Sequence, residues 1–200
     1  MTRILQNWLR NATLYSFALV LSLNLQLTPA QASNTNGDEM LHYSGDIAVL
    51  NDIIHANGLT ELEEQPLNLG IQVWEEGRLT FLLVDERYII SQLPQSIGNL
   101  TELKGLFLSN QNITQVPESI GDLKSLEKLH LDNNRLTILP ATIGNLTKLN
   151  SLYLQNNRLT NLPMSISKLS GLKTLNVAGN PFDITAFDTL PLEDLTRFHQ

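Results

Sequence analysis

The chain has 200 residues, with 13 lysines and arginines against 20 aspartates and glutamates, for a net charge of −7. That balance excludes the basic stripes that nucleic-acid phosphates need and electrostatic adhesion to anionic lipid. A hydrophobic share of 42% is enough for a sizeable core, and the absence of cysteine excludes disulfides, thiolate metal sites and lipid attachment through an N-terminal cysteine.

Residues 1–32 carry Arg3 and Arg10 but no acid, then an apolar run over 14–27, then Pro29-Ala30-Gln31-Ala32. A basic head, a short apolar stretch and an Ala-x-Ala end are the layout of a cleaved secretory signal, and cleavage is expected after Ala32. The run is short for a spanning helix and contains Ser16, Ser22, Asn24 and Gln26. The mature chain is therefore expected to be periplasmic or secreted, with no stable membrane insertion after cleavage. A cysteine-free exported chain suits a bacterial envelope or secreted fraction. Asn-x-Thr occurs in the mature chain at Asn99, Asn112 and Asn145, which a eukaryotic secretory pathway would treat as glycosylation acceptors.

Residues 33–39 are small and polar and read as a flexible mature N-terminus. A helix is predicted over 46–57, with Ile47, Leu50, Ile53 and Ile54 on one face and Gly58 as a left-handed stop. Residues 60–70 connect it onward and place Glu61, Glu63 and Glu64 in a local acidic patch. Ile71, Val73 and Trp74 predict a short strand, Glu75-Glu76-Gly77 a turn, and 79–84 a second strand. Residues 33–78 thus form a leader and an N-terminal cap.

From residue 79 to residue 181 the chain repeats. Leu103, Leu126, Leu149 and Leu172 recur every 23 residues, as do Leu106, Leu129, Leu152 and Leu175. A shared period of this size means a solenoid whose units bury their apolar edges against one another. Leu79, Leu82, Val84 and Ile89 match Leu103, Leu106, Leu108 and Ile113 at a spacing of 24, with the extra residue expected near Ile90-Ser91. Five repeat strands result. Residues 182–200 supply Phe182, Phe187, Leu190, Leu192, Leu195 and Phe198 as a cap for the last open face.

Within one unit, Leu126-x-x-Leu129-x-Leu131-x-x-Asn134-x-Leu136 alternates as a short strand with one buried face. Asn134, Asn157 and Asn180 lie where each strand ends. A buried amide there can bond the unpaired backbone groups of adjacent turns, so these are structural asparagines. The return segment Leu139-Pro140-x-x-Ile143-x-x-Leu146 spaces apolar groups by three, as a 3₁₀ segment opened by proline does. Gly98, Gly121 and Gly144 are expected to ease its bend, with Ser167 replacing glycine in the last copy.

These residues resemble the leucine-rich repeat family in its 23-residue form, Leu-Pro-x-x-Ile-Gly-x-Leu. The resemblance covers residues 79–181, half of the chain. It implies an α/β fold: a right-handed solenoid with a parallel sheet on its concave side, and a role in recognition. The helix, followed by Trp74 and Arg78-Leu79-Thr80, also resembles the N-terminal cap of plant extracellular members, without their paired cysteines. Arg87 and Gln111 stand where the family has asparagine, which implies looser first turns.

On such a sheet, residues between core leucines form ladders about 4.8 Å apart. One ladder reads Leu83, Phe107, His130, Tyr153 and Asn176. Large apolar groups on an open face are costly unless covered, and aromatics make good binding anchors; stacking that merely stiffens the sheet is the alternative. The next ladder is Asp85, Ser109, Asp132, Gln155 and Ala178, and beyond it Arg135 and Arg158 are neighbours. Those arginines can grip a carboxylate as a fork, or Asp132 can neutralise them. The expected partner is a protein or peptide, contacted by Leu83, Phe107, His130 and Tyr153 and oriented by Asp132, Arg135 and Arg158. Carbohydrate stacked on Tyr153 and Phe107 is the lesser option. An envelope component or secreted effector that works through its convex side or edges is the alternative function. No nucleophile, oxyanion donor, His-x-x-x-His or phosphate loop accompanies His130 and Asp132, so the chain reads as non-catalytic, without cofactor or metal.

Overall fold

The computed structural model describes residues 44–182 and the strand Arg197–His199. All belong to the second of two units, residues 40–200. The predicted signal (1–32), the polar leader (33–39) and most of the C-terminal cap lie outside the described residues. Among the described residues no helix is long and apolar enough to cross a membrane.

Helix α1 spans Ser44–Ala56 and buries Asp46, Val49, Leu50, Ile53 and Ile54, a stripe at helical spacing. Val49 takes the place foreseen for Ile47, which is only half-buried. Gly58, at φ 64°, turns the chain out of the helix. The charged member of the stripe ties α1 to the sheet. Asp46 accepts hydrogen bonds from Arg78 Nε at 3.0 Å and from the backbone N–H of Leu79 at 2.8 Å.

Strands β1 (Ile71–Glu75) and β2 (Arg78–Leu83) form an antiparallel hairpin. Its two-residue loop, Glu76 and Gly77, has positive φ at both positions, as a tight hairpin turn requires. The remaining strands run parallel to β2: β3 (Gly105–Phe107), β4 (Lys128–His130), β5 (Ser151–Tyr153), β6 (Thr174–Asn176) and β7 (Arg197–His199). They pair in sequence order into one seven-stranded sheet. Leu82, Leu106, Leu129, Leu152 and Leu175 share one register and are fully buried. The 3₁₀ segments Gln95–Asn99, Glu118–Asp122, Ala141–Asn145 and Met164–Lys168 pack on the other side of that core. Each follows a proline with φ between −66° and −70°, preset for the turn.

Buried amides join the turns. Asn134 Oδ1 accepts the N–H of Ile113 at 3.0 Å, and its Nδ2 donates to Leu108 O at 2.8 Å and Leu131 O at 3.0 Å. Asn157 does the same for Leu136, and Asn180 for Leu159. Just before these positions Asn110, Asn133, Asn156 and Gly179 all adopt left-handed backbone, with φ of 55–69°. Asparagine and glycine tolerate that region best.

Two expectations need correction. Ile90, not Ile89, is the counterpart of Ile113: Ile90 is fully buried and donates its N–H to Gln111 Oε1 at 2.6 Å, whereas Ile89 is 45% exposed. The extra residue therefore lies between Val84 and Ile90, in a loop closed by Arg87 N–H on Asp85 Oδ1. Arg87 stays outside, and Gln111 fills the asparagine place one turn later. Its amide reaches the carbonyls of Val84, Asp85 and Ser109 only at 3.4–3.5 Å, so this junction is held more weakly than the later ones.

The second correction concerns glycine. Gly98, Gly121 and Gly144 are absent from the positive-φ residues, so the bend does not demand them. Close approach does. A methyl on Gly98 would sit 2.6 Å from Ser119 O, and one on Gly121 2.5 Å from Thr142 O. Each glycine lets the next 3₁₀ segment lie against it. Ser167 holds the equivalent position in the last of these segments among the described residues.

Gly121→Ala is expected to cost about 1–3 kcal/mol through overpacking. Gly171→Ala, whose methyl would meet nothing closer than 3.6 Å, should be near neutral. Leu129→Ala should cost about 2–5 kcal/mol. Urea denaturation of the three variants checks all three values.

Candidate functional site

The register sorts the outward residues into columns, because alternate strand positions face the same side. The first column is Phe81, Gly105, Lys128, Ser151 and Thr174; the second is Leu83, Phe107, His130, Tyr153 and Asn176. Two positions beyond the second lie Asp85, Ser109, Asp132, Gln155 and Ala178.

The second column brings Phe107, His130 and Tyr153 together as a stack, with ring centroids 4.3 Å apart at both steps. Leu83 does not continue it. Phe81, from the first column, does so instead, 4.8 Å from Phe107. Gly105 makes this possible: a methyl there would lie 2.8 Å from the Phe81 ring and 2.9 Å from the Phe107 ring. The sequence reading missed Phe81. Its signal was the glycine among bulkier residues at the matching position of the next repeat.

Stacking covers the middle of the column. Phe107 and His130 are each only 8% exposed, whereas Phe81, Leu83 and Tyr153 are half-buried. The expected anchors are thus unequal, and Tyr153, Leu83 and Phe81 offer more surface than the two rings between them. Asp132 differs more from expectation. It is 2% exposed and accepts Ser109 Oγ at 2.7 Å and Asn133 Nδ2 at 2.8 Å. A carboxylate so enclosed is not presented to a partner. It does not neutralise Arg135 or Arg158 either, and among the described residues neither arginine makes an ion pair. Both are exposed and occupy equivalent positions on adjacent turns, with their N–H groups on Ile113 O and Leu136 O.

His130 Nδ1 lies 3.9 Å from Asp132 Oδ1, too far for a hydrogen bond, and is buried without a partner. Gln155 Oε1, at the position equivalent to Asp132 in the next turn, is also buried and unpartnered. Burial, with Lys128 nearby, lowers the His130 pKa to about 4. Burial raises that of Asp132 against the hydrogen bonds from Ser109 and Asn133. At neutral pH the imidazole is therefore an uncharged ring in an aromatic stack.

A profile described as leucine-rich repeat region matches residues 91–197, more than half of the chain. The chain belongs to the leucine-rich repeat family. No curated protein matches it. The leucine-rich repeat ectodomain of the receptor kinase SOBIR1 from Arabidopsis thaliana is similar, at 28% identity and a TM-score of 0.59, over 78% of this chain and 91% of that one. An internalin from Listeria monocytogenes matches at 26% identity and a TM-score of 0.50, over 60% of this chain. A chain of the Arabidopsis BIR3–SERK2 complex shares the fold, with a TM-score of 0.57 at 21% identity, over 76% of this chain and 95% of that one. This chain spans 34% of the internalin and 39% of a Leptospira interrogans leucine-rich repeat protein that it also matches. Leucine-rich repeat domains are typically protein- or peptide-binding modules and usually non-catalytic, and no catalytic family is evident.

The acid response of the site follows from the lowered His130 pKa. An unfolded histidine titrates near 6.5, so the unfolded state takes up a proton first. The stability that neutral His130 contributes is complete above pH 6.5 and is lost as pH falls towards 4. Asp132, with its raised pKa, works in the opposite sense once it protonates. Between pH 7.5 and pH 4.5 the parent should lose about 2–3 kcal/mol relative to His130→Phe. Urea denaturation at the two pH values measures that difference.

Proposed function

We propose that this protein recognises a protein or peptide segment across the concave face of its sheet, in an extracytoplasmic compartment. The supporting observation is the continuous aromatic column Phe81–Phe107–His130–Tyr153 on the open face of four adjacent strands. Its two ends are partly open, its middle is closed, and Leu83 flanks it. A partner laid along the strands' outward face would cover Tyr153 and Phe81, the arrangement in which aromatic anchors contribute most. Arg135 and Arg158, beyond the column, orient an acidic group of the partner. The compartment rests on the signal-like pattern of residues 1–32 and on a cysteine-free chain that needs no disulfide to fold.

A second reading has its own observation. Ile138, 57% exposed, lines a shallow groove with Val116, Leu139, Pro140 and Pro163, and Met164, which follows Pro163 in the chain, is 60% exposed. An envelope component or effector working through its edges would use this strip.

The two readings separate in a cross-linked capture from envelope and secreted fractions. Phe81→Ala/Tyr153→Ala should cost about 2 kcal/mol or more in binding. Ile138→Ser/Met164→Ser should leave capture unchanged. The reverse result moves the site to the edge.

A further inference from the structure

The imidazole in the aromatic column is poorly matched to its surroundings in one respect. A stack of this kind works equally well with phenylalanine, yet the third ring carries a buried Nδ1 with no hydrogen-bond partner. The nearest carboxylate oxygen is Asp132 Oδ1 at 3.9 Å, itself enclosed. Two residues apart on one strand edge, both face the same side of the sheet. The other groups around the imidazole are Phe107 of β3 and Ser109 just after it, Tyr153 of β5 and Gln155 just after it, and Lys128 on its own strand. Of these only Lys128 and the Tyr153 phenol are titratable, and neither is a counter-ion for an imidazolium.

We propose that His130 and Asp132 form a proton-operated latch that sets the position of Tyr153. When His130 is neutral, the ring stays centred between Phe107 and Tyr153 and the gap to Asp132 stays open. On protonation Nδ1–H becomes a charged donor buried beside a carboxylate. A charge-assisted hydrogen bond is about 2.7–2.9 Å long, so the gap must shorten by about 1 Å. Asp132 Oδ1 already accepts Ser109 Oγ, but a carboxylate oxygen has room for a second donor. The imidazolium therefore moves towards Asp132 without displacing Ser109. At a centroid spacing of 4.3 Å on both sides, the ring cannot move about 1 Å without disturbing its neighbours. Phe107 is held on its far side by Phe81, at 4.8 Å. Tyr153 has the small side chain of Asn176 as its next neighbour in the column, so Tyr153 is the ring that yields. Burial and Lys128 hold the operating point well below neutrality, near the His130 pKa of about 4; burial raises the Asp132 pKa as well, so the latch closes only while Asp132 keeps its charge and reopens once it protonates.

For function this rests on the concave-face reading. By linkage, a partner that needs the intact column binds more weakly in acid and, when bound, lowers the His130 pKa further.

The latch is tested without any partner, so its failure and that of the binding reading are distinguishable. Aromatic NMR spectra of the full chain are followed from pH 7.5 to 3.5, with backbone amide dispersion as the monitor of folding. The expected result is a His130 midpoint about two pH units below the ordinary histidine value. Tyr153 ring signals should move with that same midpoint. In His130→Phe the Tyr153 signals should stay still. In Asp132→Asn the His130 midpoint should fall and the Tyr153 movement should disappear. Tyr153 signals that stay fixed through the His130 midpoint, or that still move in His130→Phe, overturn the proposal. Loss of amide dispersion before Tyr153 moves overturns it too, because the column would then fail with the whole fold.

Discussion

A polypeptide that winds on itself every 23 residues must solve one problem repeatedly: the backbone groups freed where each short strand ends are buried and cannot reach water. Here one side-chain amide per turn answers it, accepting an N–H from the turn before and donating to carbonyls on both turns. A buried group left unpaired would cost about 1–3 kcal/mol, and each asparagine serves at least three. The leucine columns supply the burial energy, but leucine contacts have no direction. The amides determine which turn lies on which, and at what height.

The first junctions show the same constraint met with other residues. Gln111 replaces asparagine with a longer arm, and its carbonyl contacts lengthen accordingly. Further back, where Arg87 offers no amide, Asn57 at the end of α1 takes over: its Oδ1 accepts the N–H groups of Ser91 at 2.7 Å and Gln92 at 3.0 Å. The N-terminal cap therefore does more than cover apolar surface. It brings its own amide to the first turn, while Asp46 holds Arg78 and Leu79 at the other end of the helix.

Much of this frame was readable in the sequence, because four near-copies of the unit place leucine, asparagine and proline at the same offsets. What resisted reading depended on neighbours. Ile89 and Ile90 carry equal hydrophobic signals, and only the bond from Ile90 to Gln111 shows which is inside. Glycine in a turn suggests unusual backbone angles, whereas Gly121 is there because Thr142 comes close. Phe81 joins the column through an empty place at Gly105 on another strand. Asp132 and His130 looked like surface groups, since strand alternation gives direction but not what their neighbours cover.

The repeat also divides its residues between two independent duties. Leucine, asparagine, proline and the 3₁₀ glycine hold the frame, and they alternate in sequence with positions that face outward from the sheet. Those two sets hardly touch; the Phe81–Gly105 contact joins only outward positions. Substitution at the exposed positions of the face, such as Arg135 and Arg158, is therefore less coupled to the stability of the stack than substitution in its buried middle, at Phe107, His130 and Asp132. Because the junctions after Gly98, Gly121 and Gly144 share one chemistry, interior turns are also exchangeable parts. A lineage carrying such a chain can alter the exposed part of its outward face by point change, or lengthen it by duplicating a turn, without having to solve the folding problem again.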